Sequence, residues 1–216
     1  MDPTAHAAVS VVLAARDESS RIGPAVLALV THLETMGGPW EVVFADAGSR
    51  DATPSVVERL GRAGLRVIRT DTRHVSAAAR LGVLAAIGPI VVVVDRDLAQ
   101  PIAEIAPLVD AIDPGGFDLA VATLVDHGAQ HGLYRFRALG HGTHGSLAGF
   151  VAFRRETGVR LLLREDASAH ASDLVQRAER RGLRVAAVPV HEGTRADHRA
   201  TRWWRVDELW PSPRSA

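Results

Sequence analysis

The chain has no cysteine, which excludes a disulfide scaffold and any thiolate metal site. A bound metal would have to use Asp, Glu, His or carbonyl oxygen. Lysine is missing as well, so all 25 basic residues are arginine, against 25 acidic ones. The resulting neutrality lacks the basic excess typical of nucleic-acid binders, and no nucleic-acid partner is expected. No apolar run is long enough to span a bilayer. The N-terminus, Met1-Asp2-Pro3-Thr4, lacks the basic start and apolar stretch of a secretory signal, and the expectation is a soluble cytoplasmic protein.

What is present suits a folded domain: 216 residues, 47% apolar and 23% charged. Val9 to Ala14, Glu41 to Ala45, Leu65 to Arg69 and Ile90 to Val94 read as buried strands. Between them lie helical patterns over Arg21 to Met36, from Thr53 to about Gly61, and over Val75 to Ile87. Thr53-Pro54 is read as an N-cap hydroxyl followed by a first-turn proline. The second half continues with a helix over Pro101 to Ile112, strands over Asp118 to Leu124, Gly149 to Arg154 and Leu183 to Val190, and a helix over Ala167 to Arg181. The Gly/His-rich Gly140 to Gly145 is a loop. Continuous apolar strands alternating with helices predict an α/β fold, a mostly parallel central sheet with helices on both faces. No repeat or linker divides the chain, so one domain is expected.

Ligands of such sheets bind beyond the carboxyl ends of the strands. There the sequence places Arg16-Asp17-Glu18, the segment Asp46 to Asp51, and Asp95-Arg96-Asp97. A crevice this acidic repels a phosphate ligand unless a cation is recruited, and Asp-x-Asp suits a hard divalent metal such as Mg²⁺ or Mn²⁺. Arg73 and Arg80 are candidates for added positive charge. No glycine-rich turn follows the first strand and no Walker A pattern occurs, so a backbone phosphate cradle is not expected.

These segments resemble family-two glycosyltransferases of the GT-A fold. Ser10 to Glu18 is similar to their opening strand, Asp46-Ala47-Gly48-Ser49-Arg50-Asp51-Ala52-Thr53 to their Asp-Asp-Gly-Ser-Thr-Asp-Gly-Thr turn, and Ala78 to Gly82 to their Ala-Arg-Asn-x-Gly helix. Asp95-Arg96-Asp97 matches the metal motif, and Ala148 to Glu156 resembles a segment of dolichyl-phosphate mannosyltransferase-like members. Asp95 to Pro101 together with Asp197-His198-Arg199 also resembles glucosyl-3-phosphoglycerate synthases.

The resemblance implies a GT-A (Rossmann-like) domain using a nucleotide diphosphate sugar, a UDP- or GDP-sugar, with a phosphate-bearing or small-molecule acceptor that includes lipid phosphates. Residues 9–125 would form the donor half, 126–190 the acceptor half and 191–216 a tail. Ala14, Arg16 and Glu18 would border the base, Asp46 would meet its uracil or guanine edge, and Arg80 would support the nucleotide. Asp95 and Asp97 would hold metal and diphosphate, with His198 as first candidate and His191 as second to complete the shell. The usual Glu-Asp catalytic pair is replaced by His170-Ala171-Ser172-Asp173, leaving Asp173 as a substitute base, or no base at all if the acceptor is already a phosphate anion. Ala14, Ala47 and Arg96 depart from the family pattern and motivate a competing reading, a degenerate non-catalytic nucleotide-sugar-binding module. Phe150 and Phe153 are read either as core or as shaping an acceptor site. Trp203, Trp204 and Trp210 among arginines suit a membrane surface, or a helix packed on the domain or on a dimer partner.

Overall fold

The structure is a computed structural model and describes residues 8–94, 102–125, 147–163, 169–191 and 204–205. In chain order it runs β1 (Val9–Ala15), α1 (Ile22–Met36), β2 (Trp40–Asp46), α2 (Thr53–Glu58), β3 (Leu65–Arg69), α3 (Val75–Ala85) and β4 (Ile90–Val94). After a short 3-10 turn, Ile102–Glu104, come α4 (Ile105–Ile112), β5 (Leu119–Val125), β6 (Leu147–Arg154), α5 (Arg155–Leu162), α6 (Ala171–Arg180), β7 (Val185–His191) and β8 (Trp204–Arg205).

The strands form one eight-stranded sheet in the order β3-β2-β1-β4-β6-β5-β7-β8. Strands β3, β2, β1 and β4 are mutually parallel, and β5 pairs in parallel with β7. The antiparallel members are β6, set between β4 and β5, and the short β8. The expected α/β architecture is therefore present. Alternate residues of the strands feed two cores. Val11, Leu13, Val42 and Phe44 pack with α1, α2 and α4, while Val12, Val43, Val91 and Val93 pack with α3, α5 and α6. Burial on both faces explains why residues 11–15 of β1, 42–45 of β2 and 90–94 of β4 are unbroken apolar runs. Phe150 and Phe153 are both fully buried, one in each core, which settles them as core residues.

Two features depart from the sequence expectation. Helix α5 directly follows β6, and the chain turns there because the Arg155 N–H donates to the Pro89 carbonyl at 2.8 Å. Thr53 does not cap α2: Ala52 holds the cap position, and the Thr53 hydroxyl is used elsewhere, as described below.

Helix α3 packs unusually close to β1. A Cβ built on Gly82 would lie 2.5 Å from Val12 Cγ1. Gly82→Ala is expected to destabilise the fold by about 1–2 kcal/mol, since Val12 must shift within a packed core. Urea denaturation would read this as a lower midpoint at unchanged slope, and an unchanged midpoint would refute the close packing.

At the amino-terminal edge of the sheet sits a buried polar bracket. Glu41 is fully buried. Its Oε1 accepts from the Ser10 hydroxyl and from the Ile87 N–H at 2.6 Å, and its Oε2 from Arg66 Nη2 at 2.9 Å. Ser10 Oγ in turn accepts from the Gly88 N–H at 2.8 Å. One carboxylate thus joins β1, β2, β3 and the turn into β4.

Candidate active site

The sheet order places the switch point between β1 and β4. The chain winds from β1 to β2 and β3 on one side, then returns to β4 on the other. The crevice beyond the carboxyl ends of β1 and β4 is where such a sheet binds ligands. Ala15 at the end of β1 is level with Asp46 at the end of β2, and Val94 at the end of β4 is level with Leu13.

Asp46 is the most informative side chain here. It is 4% exposed, and its Oδ2 accepts from the Ser49 N–H at 3.1 Å. Its Oδ1 is buried with no hydrogen-bond partner among the described residues. Buried polar atoms are nearly always paired, so a buried carboxylate oxygen facing no donor is a candidate ligand contact. Thr70 donates to the Asp46 carbonyl through both its N–H (3.0 Å) and its hydroxyl (2.8 Å), locking the backbone behind that carboxylate. Gly48 has φ 66, and a Cβ there would approach the Thr72 and Thr70 carbonyls at 3.1 and 3.3 Å; the turn requires glycine.

The other acids after β1 and β2 also make bonds within the protein. Asp17 sits at φ 54, the left-handed region that Asp tolerates better than most residues. Its N–H donates to Ser49 Oγ at 3.0 Å and its Oδ1 accepts from the Arg50 N–H at 2.7 Å. The Glu18 N–H donates to Thr53 Oγ1 at 2.7 Å, and the Ser19 N–H to Asp51 Oδ2 at 3.1 Å. Asp51 Oδ1 also takes the N–H and the hydroxyl of Thr53. Glu18 itself pairs with Arg21 at 2.7 Å. The turns after β1 and β2 are thereby latched together, with their carboxylates stabilised by backbone N–H groups and by Arg16 and Arg21.

The Thr53 hydroxyl, chiefly, holds the Asp51 carboxyl well below the usual carboxylate range; burial opposes it, and the Thr53 and Ser19 N–H groups reinforce it. A depressed folded-state pKa contributes stability that is present above the unfolded value, about 4, and is lost as pH falls below it. Asp51→Asn is therefore expected to be less stable than wild type at pH 6, with the gap narrowing below about pH 4. Thermal melts across that range check this; a gap independent of pH would refute it.

The remaining expected residues fall as follows. Ala14 is buried at 3% exposure beside the crevice. Arg16 stays near it, with its guanidinium 3.4 Å from both the Asp17 carboxylate and the Arg73 carbonyl. Arg80 lies in α3, but its Nε donates to the Leu162 carbonyl at 2.8 Å, tying α3 to the end of α5. Asp173 lies in the first turn of α6, a helix that runs back before β7 and so starts at the carboxyl edge of the sheet. Asp95, Asp97 and His198 lie outside the described residues, as do His141, His144, Trp203 and Trp210. The side chains of His191 and Trp204 are likewise not described. Among the described residues no cluster of three or more His, Asp or Glu forms a metal shell, and no helix is long and apolar enough to cross a membrane. The roles of Ser49 and Thr53 as cross-turn acceptors escaped the sequence reading. Their short hydroxyls within Asp-x-Gly-Ser-x-Asp-x-Thr were the available signal.

The Glycosyl transferase family 2 model matches residues 10–168. Among curated proteins, glycosyltransferase AglD of Haloferax volcanii is 30% identical over 210 residues, an alignment covering 84% of this chain and 32% of that protein. The chain thus spans about a third of that relative's length. Among solved structures, the mannosyltransferase PcManGT of Pyrobaculum calidifontis, in complex with GDP-Man and Mn²⁺, superposes with a TM-score of 0.60 at 20% identity, covering 91% of this chain and 59% of that one. Glucosyl-3-phosphoglycerate synthase of Mycobacterium tuberculosis, in complex with Mn²⁺, UDP and glucosyl-3-phosphoglycerate, superposes with a TM-score of 0.60 at 21% identity, covering 91% and 76%. These likenesses establish the GT-A fold, and with the family match over most of its length the chain belongs to glycosyl transferase family 2.

Proposed function

We propose that the chain transfers a sugar from a UDP- or GDP-sugar to a phosphate-bearing or small-molecule acceptor, with Mg²⁺ or Mn²⁺ as cofactor. The observation that carries this reading is the Asp46 carboxylate at the carboxyl edge of β2, with Oδ1 buried and unpartnered among the described residues. A fixed carboxylate acceptor suits the N3–H of uracil or the N1–H of guanine, and it opposes the lone pair that cytosine or adenine presents at that position. Ala14, Arg16 and Glu18 border the same base, and Arg80 supports the nucleotide from α3. Bound nucleotide and Mn²⁺ in the two similar structures support this assignment.

The donors after β4 fit a hard divalent cation: Asp95 and Asp97 offer carboxylate oxygens, and a chain without cysteine offers no thiolate to favour a soft metal. These two residues hold the cation, with His198 completing the shell. When bound, the cation supplies Lewis-acid stabilisation of the departing diphosphate. Residues 9–125 form the donor half and 126–190 the acceptor half. Asp173, at the start of α6, removes the proton from a hydroxyl acceptor; a phosphate acceptor needs no base. The phosphate-bearing product bound to the similar synthase favours an acceptor of that class.

A thermal-shift panel of UDP, GDP, CDP and ADP, each with and without Mn²⁺, tests the reading. Stabilisation by UDP or GDP only with metal is expected, followed by release of free nucleotide from the matching nucleotide sugar. Indifference to every nucleotide would overturn the assignment, and binding without any turnover would leave a nucleotide-sugar-binding module in its place.

A further inference from the structure

The Asp46 carboxylate does not hold its own orientation. Its Oδ2 is fixed by the Ser49 N–H at 3.1 Å. Ser49 is fixed by Asp17, whose N–H donates to the Ser49 hydroxyl at 3.0 Å. The Asp17 side chain in turn accepts from the Arg50 N–H at 2.7 Å through its Oδ1, gripping the turn on the other side of Ser49. These bonds span 32 and 33 residues of sequence, so they join two separate strand ends and do not belong to one local turn. Asp17 can do both at once only because its backbone sits at φ 54. That conformation is uncommon outside glycine and carries a cost when a side chain adopts it.

We infer that Asp17 and Ser49 are positioning residues for Asp46: acting across the β1 and β2 turns, they commit Oδ2 to the protein and leave Oδ1 free to read the nucleobase. This rests on the assignment of Asp46 to the base. Neither Asp17 nor Ser49 is placed against the ligand itself. Preorganisation of this kind matters because a carboxylate free to rotate would have to be ordered again on binding, which would weaken it.

The test uses the full chain with Mn²⁺ and measures dissociation constants for UDP, GDP and CDP by calorimetry, alongside thermal melts of the free protein. Asp17→Ala and Ser49→Ala are expected to weaken UDP or GDP, whichever wild type prefers, by about tenfold, the equivalent of one well-formed hydrogen bond. Because CDP gains nothing from Oδ1, its affinity stays near wild type, and discrimination against CDP shrinks by the same factor. A merely structural role would lower the melting temperature without changing that ratio. Asp17→Asn keeps an acceptor for Arg50 and tolerates the left-handed backbone, so it is expected to restore most of the discrimination; Asp17→Gly, which relieves the backbone but loses the acceptor, is not. The positioning role is overturned if Asp17→Ala and Ser49→Ala discriminate like wild type while Asp46→Asn does not. If Asp46→Asn also binds and discriminates like wild type, the base assignment fails first, and the positioning role falls with it.

Discussion

Glu41→Ala is expected to lower the free energy of unfolding by about 3 kcal/mol, a larger effect than that expected for Gly82→Ala. The carboxylate is fully buried and receives bonds from Ser10, Ile87 and Arg66. Truncation leaves the Ile87 N–H and the Ser10 hydroxyl without their acceptor and opens a cavity among three strands. Each buried group left unsatisfied costs about 1–3 kcal/mol. Arg66 limits the damage, because its side chain is 36% exposed and its Nη2 also donates to the Ala85 carbonyl at 2.7 Å. Glu41→Gln should fall between the two. Its amide oxygen can still accept from Ile87, while its NH₂ would face the Arg66 guanidinium, donor against donor. For a domain of this size the alanine variant should melt roughly 6–12 °C lower. The folded fraction should still bind nucleotide normally, because Glu41 stands at the opposite edge of the sheet from Asp46. Equal melting of Glu41→Ala and wild type would show that the bracket contributes nothing.

The largest functional effect is expected at Asp97. Asp97→Ala should reduce release of nucleotide from the preferred donor by about 10²–10³-fold, the loss typical when one group that stabilises developing charge is removed. Chelation of the divalent cation from wild type should reproduce that loss, and added Mn²⁺ should rescue wild type but not the variant. Asp173→Ala provides the contrast. With a hydroxyl acceptor it should lower turnover by about 10²-fold or more through loss of a general base; with a phosphate acceptor it should leave turnover near wild type. Full activity of Asp97→Ala in the presence of chelator would remove the cation from the reaction.

The architecture of the first half was legible in the sequence because burial writes itself into composition. Residues 11–15, 42–45 and 90–94 are covered on both faces and carry unbroken apolar residues. Asp46 could be singled out by its place after such a strand. Apolarity reports burial but not direction, however, so the antiparallel insertion of β6 between β4 and β5 was not legible. Helix α5 was hidden for a related reason. Gly158 weakens its helical pattern, yet the packing demands it, since a Cβ there would lie 2.1 Å from the Phe153 ring.

By itself, then, the sequence determined which segments are buried, which acids follow the strands, and which metal chemistry a chain without cysteine can support. Only the tertiary structure decided what those acids do. Asp17 and Asp51 look like ligand-facing charges along the chain, but their partners are backbone N–H groups 33 and 32 residues away, brought within reach by the pairing of β1 with β2. Arg80 is anchored in α3 by a carbonyl 82 residues away. Strand periodicity carries no information about such partners, because they are set by the order of strands in the sheet. That order leaves Asp46 Oδ1 as a buried acceptor with no partner among the described residues.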